Sequence, residues 1–213
     1  VRCPQSYAGA AHMPQQRRAQ LTRRAIVVAA AEEFDRAGYD AVPLSAILRR
    51  SGVTKGAFYF HFSSKEELAL ALVRLQAQRW PRLQRAWLRR ELDPLSIAVG
   101  LLNDAVRLTE QDVVIRAGTQ LARHRIAEGE ESHELEWEPL LQDLLRRSAA
   151  SGLLRPGVDS MAVARVAYTA MVGASVAGAS ASGPGAAARM EEVWRVTLRG
   201  VASPEWLSNR RSR

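Results

Sequence analysis

The sequence predicts an all-α protein in two parts, an N-terminal three-helix segment with a helix-turn-helix and a longer C-terminal helical segment. Three observations predict it. Alanine, leucine and arginine dominate the 213 residues, a composition that favours helix over sheet. Apolar residues recur at helical spacing, and no stretch reads as a credible strand. The charge is uneven: residues 1–90 carry a net +10 and residues 91–213 a net −2, which fits nucleic-acid binding by one end of the molecule.

Residues 1–20 contain Pro4, Gly9 and Pro14 without an apolar period, and are expected to form a flexible basic arm. Arg17, Arg18, Arg23 and Arg24 place positive charge beside the first helix, where an arm can lie along phosphates or stay solvated. That helix is expected over Thr22–Ala37, with Ile26, Val27, Ala30, Phe34 and Ala37 on one face and Gly38 as its stop. A second is expected over Pro43–Ser51. Gly52 then turns the chain and Thr54 caps a short third helix, Lys55–His61. Ser64 and Glu67 make a capping box for a fourth, which Pro81 should kink or end. Asp93-Pro94 starts a helix running to about Thr109. Further helices are expected at about Asp112–His124, Leu135–Ser151, Ser160–Ala179 and Ala186–Arg199. Arg125–His133 should be a mobile loop, Ser180–Gly185 a loop, and residues 204–213 a tail.

The stretch Ser51–Leu68 contains the only two lysines of the chain, Lys55 and Lys65, against 28 arginines. A helix-turn-helix reads bases with the N-terminal end of its second helix. Here that end is Thr54, Lys55 and Gly56. Threonine bonds phosphate or a base edge, lysine reaches guanine O6 and N7, and glycine lets the backbone come close. Tyr59 and His61 are candidates for phosphate contact, with Arg23 in the basic cluster and Lys65 as a phosphate clamp. Of the three phenylalanines, Phe60 and Phe62 are expected in the core and Phe58 partly exposed on the reading face.

Residues Leu21–Leu68 resemble the DNA-binding domain of the TetR family of transcriptional repressors. The resemblance is carried by AAAEEFDRAGYDAVPLSAILRRSGVTKGAFYFHFSSKEEL taken whole and covers about a quarter of the chain. Val42 departs from it, standing where the family often has a capping Ser or Thr. The resemblance implies a DNA-binding domain over 21–68, an effector-binding and dimerisation domain over 69–203, a homodimer and a palindromic operator on double-stranded DNA. A weaker resemblance, to the γ-butyrolactone receptors of actinomycetes, rests on TKGAFYFHF, DVVIRAGTQLARHR, Trp137 after an acidic stretch, and EEVWRVTLRG. It implies release from DNA by a small butyrolactone, furan or butenolide signal that induces antibiotic biosynthesis. It also implies a pocket lined by Trp137, with Trp80-Pro81 fitting some furan-sensing relatives. A repressor of an efflux or other gene that senses a different hydrophobic ligand, and a receptor-like repressor that has lost its signal, remain open.

Thr119 and Gln120 are expected on the helix facing Trp137, with Tyr168 and Met171 as further lining candidates, each equally readable as core. Ala167, Ala170, Ala174 and Gly178, or Ala164 and Gly173, form small-residue tracks suited to a two-fold helical interface or to the buried centre of one subunit. The apolar window Met161–Ala181 carries Arg165 and is mostly Ala, Gly and Ser. It is expected to be a buried helix and not a membrane span. The acidic run Glu128–Glu138 reads as a solvated face. One cysteine (Cys3) and four scattered histidines argue against zinc. No catalytic constellation or phosphate loop is legible, so neither enzyme nor cofactor is expected. The lone thiol, with no secretory signal at the start, points to the cytoplasm.

Overall fold

The computed structural model describes residues 12–127, 137–177 and 183–211. They form eleven helices: α1 (His12–Ala37), α2 (Leu44–Ser51), α3 (Lys55–His61), α4 (Lys65–Ala77), α5 (Arg79–Leu88), α6 (Pro94–Gln111), α7 (Val113–Ala127), α8 (Trp137–Ala150), α9 (Ser160–Ala177), α10 (Ala186–Val201) and α11 (Pro204–Arg211). By compactness the chain divides into residues 1–75 with 113–128, and residues 76–112 with 129–213. The division does not follow chain order, because α7 joins the first four helices.

In the first unit α1 packs against α2, α3 and α7. Its core contains Ile26, Ala30 and Phe34 of α1, Val42, Ile47 of α2, Phe58 of α3, Phe62, Leu68 and Leu72 of α4, and Ala117 and Leu121 of α7. The first helix begins ten residues before the sequence suggested, so residues 12–20 are helical and not part of a flexible arm. Pro14 falls within the first turn, where its missing N–H costs no helical bond. The arm up to residue 11, with Cys3, lies outside the described residues. Arg116 of α7 binds Asp35 of α1 through Nε (2.9 and 3.1 Å) and Nη2 (2.9 Å). Such a two-pronged guanidinium–carboxylate bond fixes direction as well as distance.

Between α4 and α5 the helix breaks at Gln78. The cause lies three residues later. Pro81 has no N–H to give the carbonyl of Ala77, and its ring crowds that carbonyl.

The second unit is built on α6, which packs against α5, α8, α9 and α10. Nine of its 18 residues are buried, from Leu95 to Thr109, as expected of a helix covered on several sides. Trp87 of α5 lies flat against Gly100, where any Cβ would overlap its six-membered ring. Its indole N–H donates to Asp104 (3.0 Å). The remaining core includes Leu141, Leu144 and Leu145 of α8, Ala164, Ala167 and Ala174 of α9, and Met190, Trp194 and Leu198 of α10. α10 runs through Gly200 to Val201. The segments after α8 and α10 then meet in an isolated antiparallel bridge, Leu154 with Ala202. Among the described residues of 125–133, Arg125–Ala127 continue α7; residues 128–133 lie outside them.

Among the described residues α9 is long and apolar enough to cross a membrane by length and composition, yet only 17% of that span is buried within the chain. Its small residues point inward: Ala164, Ala167 and Ala174 are buried against the chain's own helices. The alanines of the two tracks therefore pack within the chain, Ala170 only in part, whereas Gly173 does not. The outward face is instead Val166, Thr169, Gly173 and Val176, one stripe at helical spacing. Gly178 lies outside the described residues.

The tail 204–211 is helical, and its Trp206 is buried. The Trp206 indole N–H donates to Asp93 Oδ1 (3.0 Å). The same carboxylate caps α6, accepting from the Ser96 amide (2.8 Å) and hydroxyl (2.6 Å). Burial pushes the Asp93 carboxyl up, but the bonds from Ser96 and Trp206 outweigh it and hold it below the usual aspartate value. Asp93 therefore contributes stability above the unfolded value of about 3.9, and the contribution is lost as pH falls through the lower native value. In urea unfolding at neutral pH, Asp93→Ala is expected to cost about 1 kcal/mol or somewhat more. The gap to the parent should narrow on acidification below about pH 4; a gap independent of pH would show that the charge is not what holds the cap.

Candidate DNA-reading face and effector site

The turn between α2 and α3 is made by Gly52, whose φ of +66° is a left-handed conformation that L side chains rarely adopt. α3 follows at once. Thr54 caps it, its Oγ1 accepting from the Ala57 amide (3.3 Å). The Thr54 hydroxyl proton stays available for a second acceptor. Lys55, Gly56 and Tyr59 are exposed. The Lys55 ammonium sits 6.0 Å from the centre of the Tyr59 ring, an i,i+4 pair on one side of the helix. No heavy atom lies within 4 Å of where a Gly56 Cβ would be. Nothing in the packing of this chain demands glycine there.

Phe62 is buried as expected, but Phe58 and Phe60 are arranged opposite to expectation. Phe58 is fully buried and Phe60 is 79% exposed. The reason is helical geometry: Phe58 and Phe62 stand four residues apart, share the inward face and meet with ring centres 5.9 Å apart. Phe60 lies about 200° round the helix from Phe58. The i,i+4 spacing was the available signal. Phe58 is therefore absent from the exposed face of α3 and Phe60 lies on it, with His61 half-buried and edge-on to its ring at 5.1 Å. Arg23, exposed on α1, stacks its guanidinium over Phe62 at 5.0 Å.

Lys65, expected as a phosphate clamp, is half-buried and spends two of its three ammonium donors within the chain. Its ammonium donates to the carbonyls of Tyr39 (2.8 Å) and Val42 (3.0 Å) and lies 4.2 Å from the centre of the Tyr39 ring. It ties the start of α4 to the connection between α1 and α2. That connection needs a tie, because Pro43 at the N-cap of α2 supplies no side-chain bond. Ser64 caps α4 through the Glu67 amide (3.0 Å), and the Glu67 carboxylate reaches back to the Ser63 amide and hydroxyl (2.6 Å each). The Ser63 hydroxyl and amide hold Glu67 below the usual carboxylate range. A second tie escaped the sequence reading: buried Glu33 of α1 receives Arg36 (2.7 Å) and Arg50 of α2 (2.5 Å), and Arg50 also reaches Glu32 (2.9 Å). The bonds from Arg36 and Arg50 hold the Glu33 carboxyl down. Three of the six acidic residues in the basic N-terminal ninety are Glu32, Glu33 and Asp35; that clustering was the signal.

Of the expected effector residues, Trp80 and Trp137 come together in the second unit. Both are buried, and their rings meet edge to face with centres 5.6 Å apart. Tyr168 and Met171 are half-buried on α9. Thr119 is buried and its hydroxyl donates to Ile115 of its own helix (2.8 Å). Gln120 donates to Asp35 (3.3 Å), beside Arg116. It shares with Arg116, four residues earlier, the face that α7 turns to α1, so its amide already serves the first unit.

Residues 26–72 match the pattern of the tetR family of bacterial regulatory proteins. The A-factor receptor protein of Streptomyces griseus is 32% identical over 193 residues, covering 90% of this chain and 68% of the relative. The chain belongs to the TetR family. Among solved structures it is similar to a γ-butyrolactone receptor described as ArpA-like, at 32% identity and a TM-score of 0.75 over 89% of this chain and 92% of that one. It is also similar to CprB of Streptomyces coelicolor in complex with its biological operator sequence, at 33% identity and a TM-score of 0.74 over 88% and 92%.

The TetR-family match runs from the middle of α1 into α4 and so contains the cap, the turn, α3 and Lys65. Within it the two lysines have opposite environments, and their substitution separates them. Lys65→Met keeps the stem and removes the ammonium; thermal or urea unfolding is expected to show a loss of about 1–3 kcal/mol. Lys55→Ala removes an exposed side chain and should change stability by no more than about 0.5 kcal/mol. Equal stability of the two variants would remove the structural role of Lys65.

Proposed function

We propose that this TetR-family regulator is a repressor that binds a palindromic operator as a homodimer. It reads DNA with Thr54, Lys55, Gly56, Tyr59 and Phe60, positioned by phosphate contacts from Arg23 and His61. The observation that carries the reading is the exposed N-terminal end of α3, held by a buried Phe58–Phe62 pair while its lysine, glycine and tyrosine stay open. An ammonium and a threonine hydroxyl at a helix N-terminus suit base edges and phosphates in a major groove. The symmetric dimer would set two such helices roughly 34–36 Å apart, one turn of DNA.

The dimer contact is assigned to the outward stripe of α9, Val166, Thr169, Gly173 and Val176, with Val196 of α10. Two exposed valines in the α9 span of low burial, and a third on α10, support this. The released state is attributed to a small signal of the γ-butyrolactone, furan or butenolide type, received beside Trp80 and Trp137. The buried edge-to-face pair and the likeness to receptors of that kind support it. The regulated genes are those of antibiotic or other secondary metabolism, and the protein acts in the cytoplasm. Release needs only that the signal bind the DNA-incompetent state more tightly, by a few kcal/mol.

Selection from random duplexes, followed by fluorescence anisotropy, tests the DNA half. A palindrome with half-sites one turn apart is the expected result, and Lys55→Ala should weaken it by about 1–3 kcal/mol. Equal affinity for any duplex of the same length sinks the proposal. Adding lactone, furan and butenolide signals to the complex tests the effector half. One of them is expected to release the DNA, and Trp137→Ala to abolish that response while DNA binding stays intact. Release by unrelated cationic dyes alone would point instead to a repressor of efflux genes. For the dimer, Val166→Glu with Val176→Glu is expected to give monomers in light scattering at concentrations where the parent is dimeric; a variant that stays dimeric puts the interface elsewhere.

A further inference from the structure

The segment EEVWRVTLRG, which carries part of the resemblance, is not used by the reading face or by the Trp80–Trp137 pair. It forms most of α10 and one wall of a cavity of about 420 Å³ in the second unit. Asn103 of α6 and Trp206 of α11 complete the walls around Trp194 and Leu198, with Arg195 and Arg199 also lining the space. None of these residues belongs to the expected effector set. The volume lies in the range of small-molecule sites.

Among the described residues, two buried side-chain polar atoms lack a hydrogen-bond partner, Asn103 Oδ1 and Trp194 Nε1. Both belong to walls of this one cavity. Trp194 is 5% exposed, so its N–H has been taken from water without a replacement. A buried donor and a buried acceptor left unpaired on two residues that line the same cavity specify what they lack: the indole N–H needs an acceptor and the amide oxygen needs a donor. A hydroxyl supplies both. Trp194, Trp206 and Leu198 offer an apolar lining suited to a flat ring. Charge completes the description. Arg195 and Arg199 are exposed, and the carboxylate of Glu191 is bound to Arg107 (2.7 Å), so the cavity favours an anion.

We infer that the cavity between α6, α10 and α11 is a second small-molecule site, separate from Trp80 and Trp137, for a flat apolar molecule carrying a hydroxyl and a carboxylate. The hydroxyl meets Asn103 and Trp194, the ring lies against Trp194 and Trp206, and the carboxylate meets Arg195 and Arg199.

The test uses the whole chain labelled with nitrogen-15, whose five tryptophans give separate indole N–H signals; Trp194→Phe assigns the one that matters. The probe is 6-hydroxy-2-naphthoate, compared with 2-naphthoate, which lacks the hydroxyl, and methyl 6-hydroxy-2-naphthoate, which lacks the charge. The Trp194 signal is expected to move in a saturable way while those of Trp80 and Trp137 stay. Each control compound should bind about tenfold more weakly, as should the probe to Asn103→Leu and to Arg199→Ala. Arg199→Ala lies at the surface and keeps the test decisive if Asn103→Leu disturbs the core. Three outcomes would overturn the site: a Trp194 signal unmoved by millimolar probe, equal binding of the three compounds, or movement confined to Trp80 and Trp137.

Discussion

Seven residues do not make a stable helix in water. Forming the first turn costs more than a helix as short as α3 can recover along its length. The first unit is organised around that constraint. Phe58 and Phe62 anchor α3 from below, Thr54 closes its start, and Phe62 closes its end by donating its amide to the Phe58 carbonyl (2.9 Å). The neighbours of α3 are themselves tied by charge: Arg50 joins α2 to α1, and Lys65 joins α4 to the connection before α2. The outward half of α3 is thereby relieved of any packing duty. That is why it can carry a lysine, a glycine, a tyrosine and an exposed phenylalanine together.

Much of this was legible in the sequence because it is local. Thr54 capping α3, Asp93 capping α6, Ser64 capping α4 and Gly52 at the turn are decided within four residues of chain, and the structure has each of them. The exchange between Phe58 and Phe60 was also decidable locally, had the i,i+4 relation to Phe62 been weighed above the alternation of the three rings. What could not be read is what distance in sequence hides. Lys65 reaches back 26 residues to Tyr39, Arg116 reaches 81 to Asp35, and Trp206 reaches 113 to Asp93. A polar side chain on a helix carries no mark of which remote partner it will find. Nothing local pairs Gln120 with Asp35, and nothing local ties Trp206 of the tail to Asp93.

The second unit has a different economy. Its central helix α6 is apolar on several faces, and small residues decide how closely its neighbours lie: Gly100 admits the flat ring of Trp87, and the alanines of α9 admit α9 itself. Dense packing of this kind leaves few polar atoms inside, so each one that lacks a partner is informative. That both of those among the described residues occur at one cavity gives the space a chemical specification as well as a shape. The outward valines of α9 and α10 are the complementary case, apolar groups left uncovered by the chain that bears them.

The membership of α7 in the first unit has a consequence for how the protein is made. Residues 1–75 leave the ribosome before α7, but the core they belong to includes Ala117 and Leu121, and Asp35 waits for Arg116. The chain must emerge through the whole of α5 and α6, which belong to the other unit, before the first can close. Translation at about 5–20 residues per second makes that interval several seconds. During it the α7-facing side of α1 is uncovered, so the folding of the N-terminal unit is timed by the synthesis of α7 and not by that of α4.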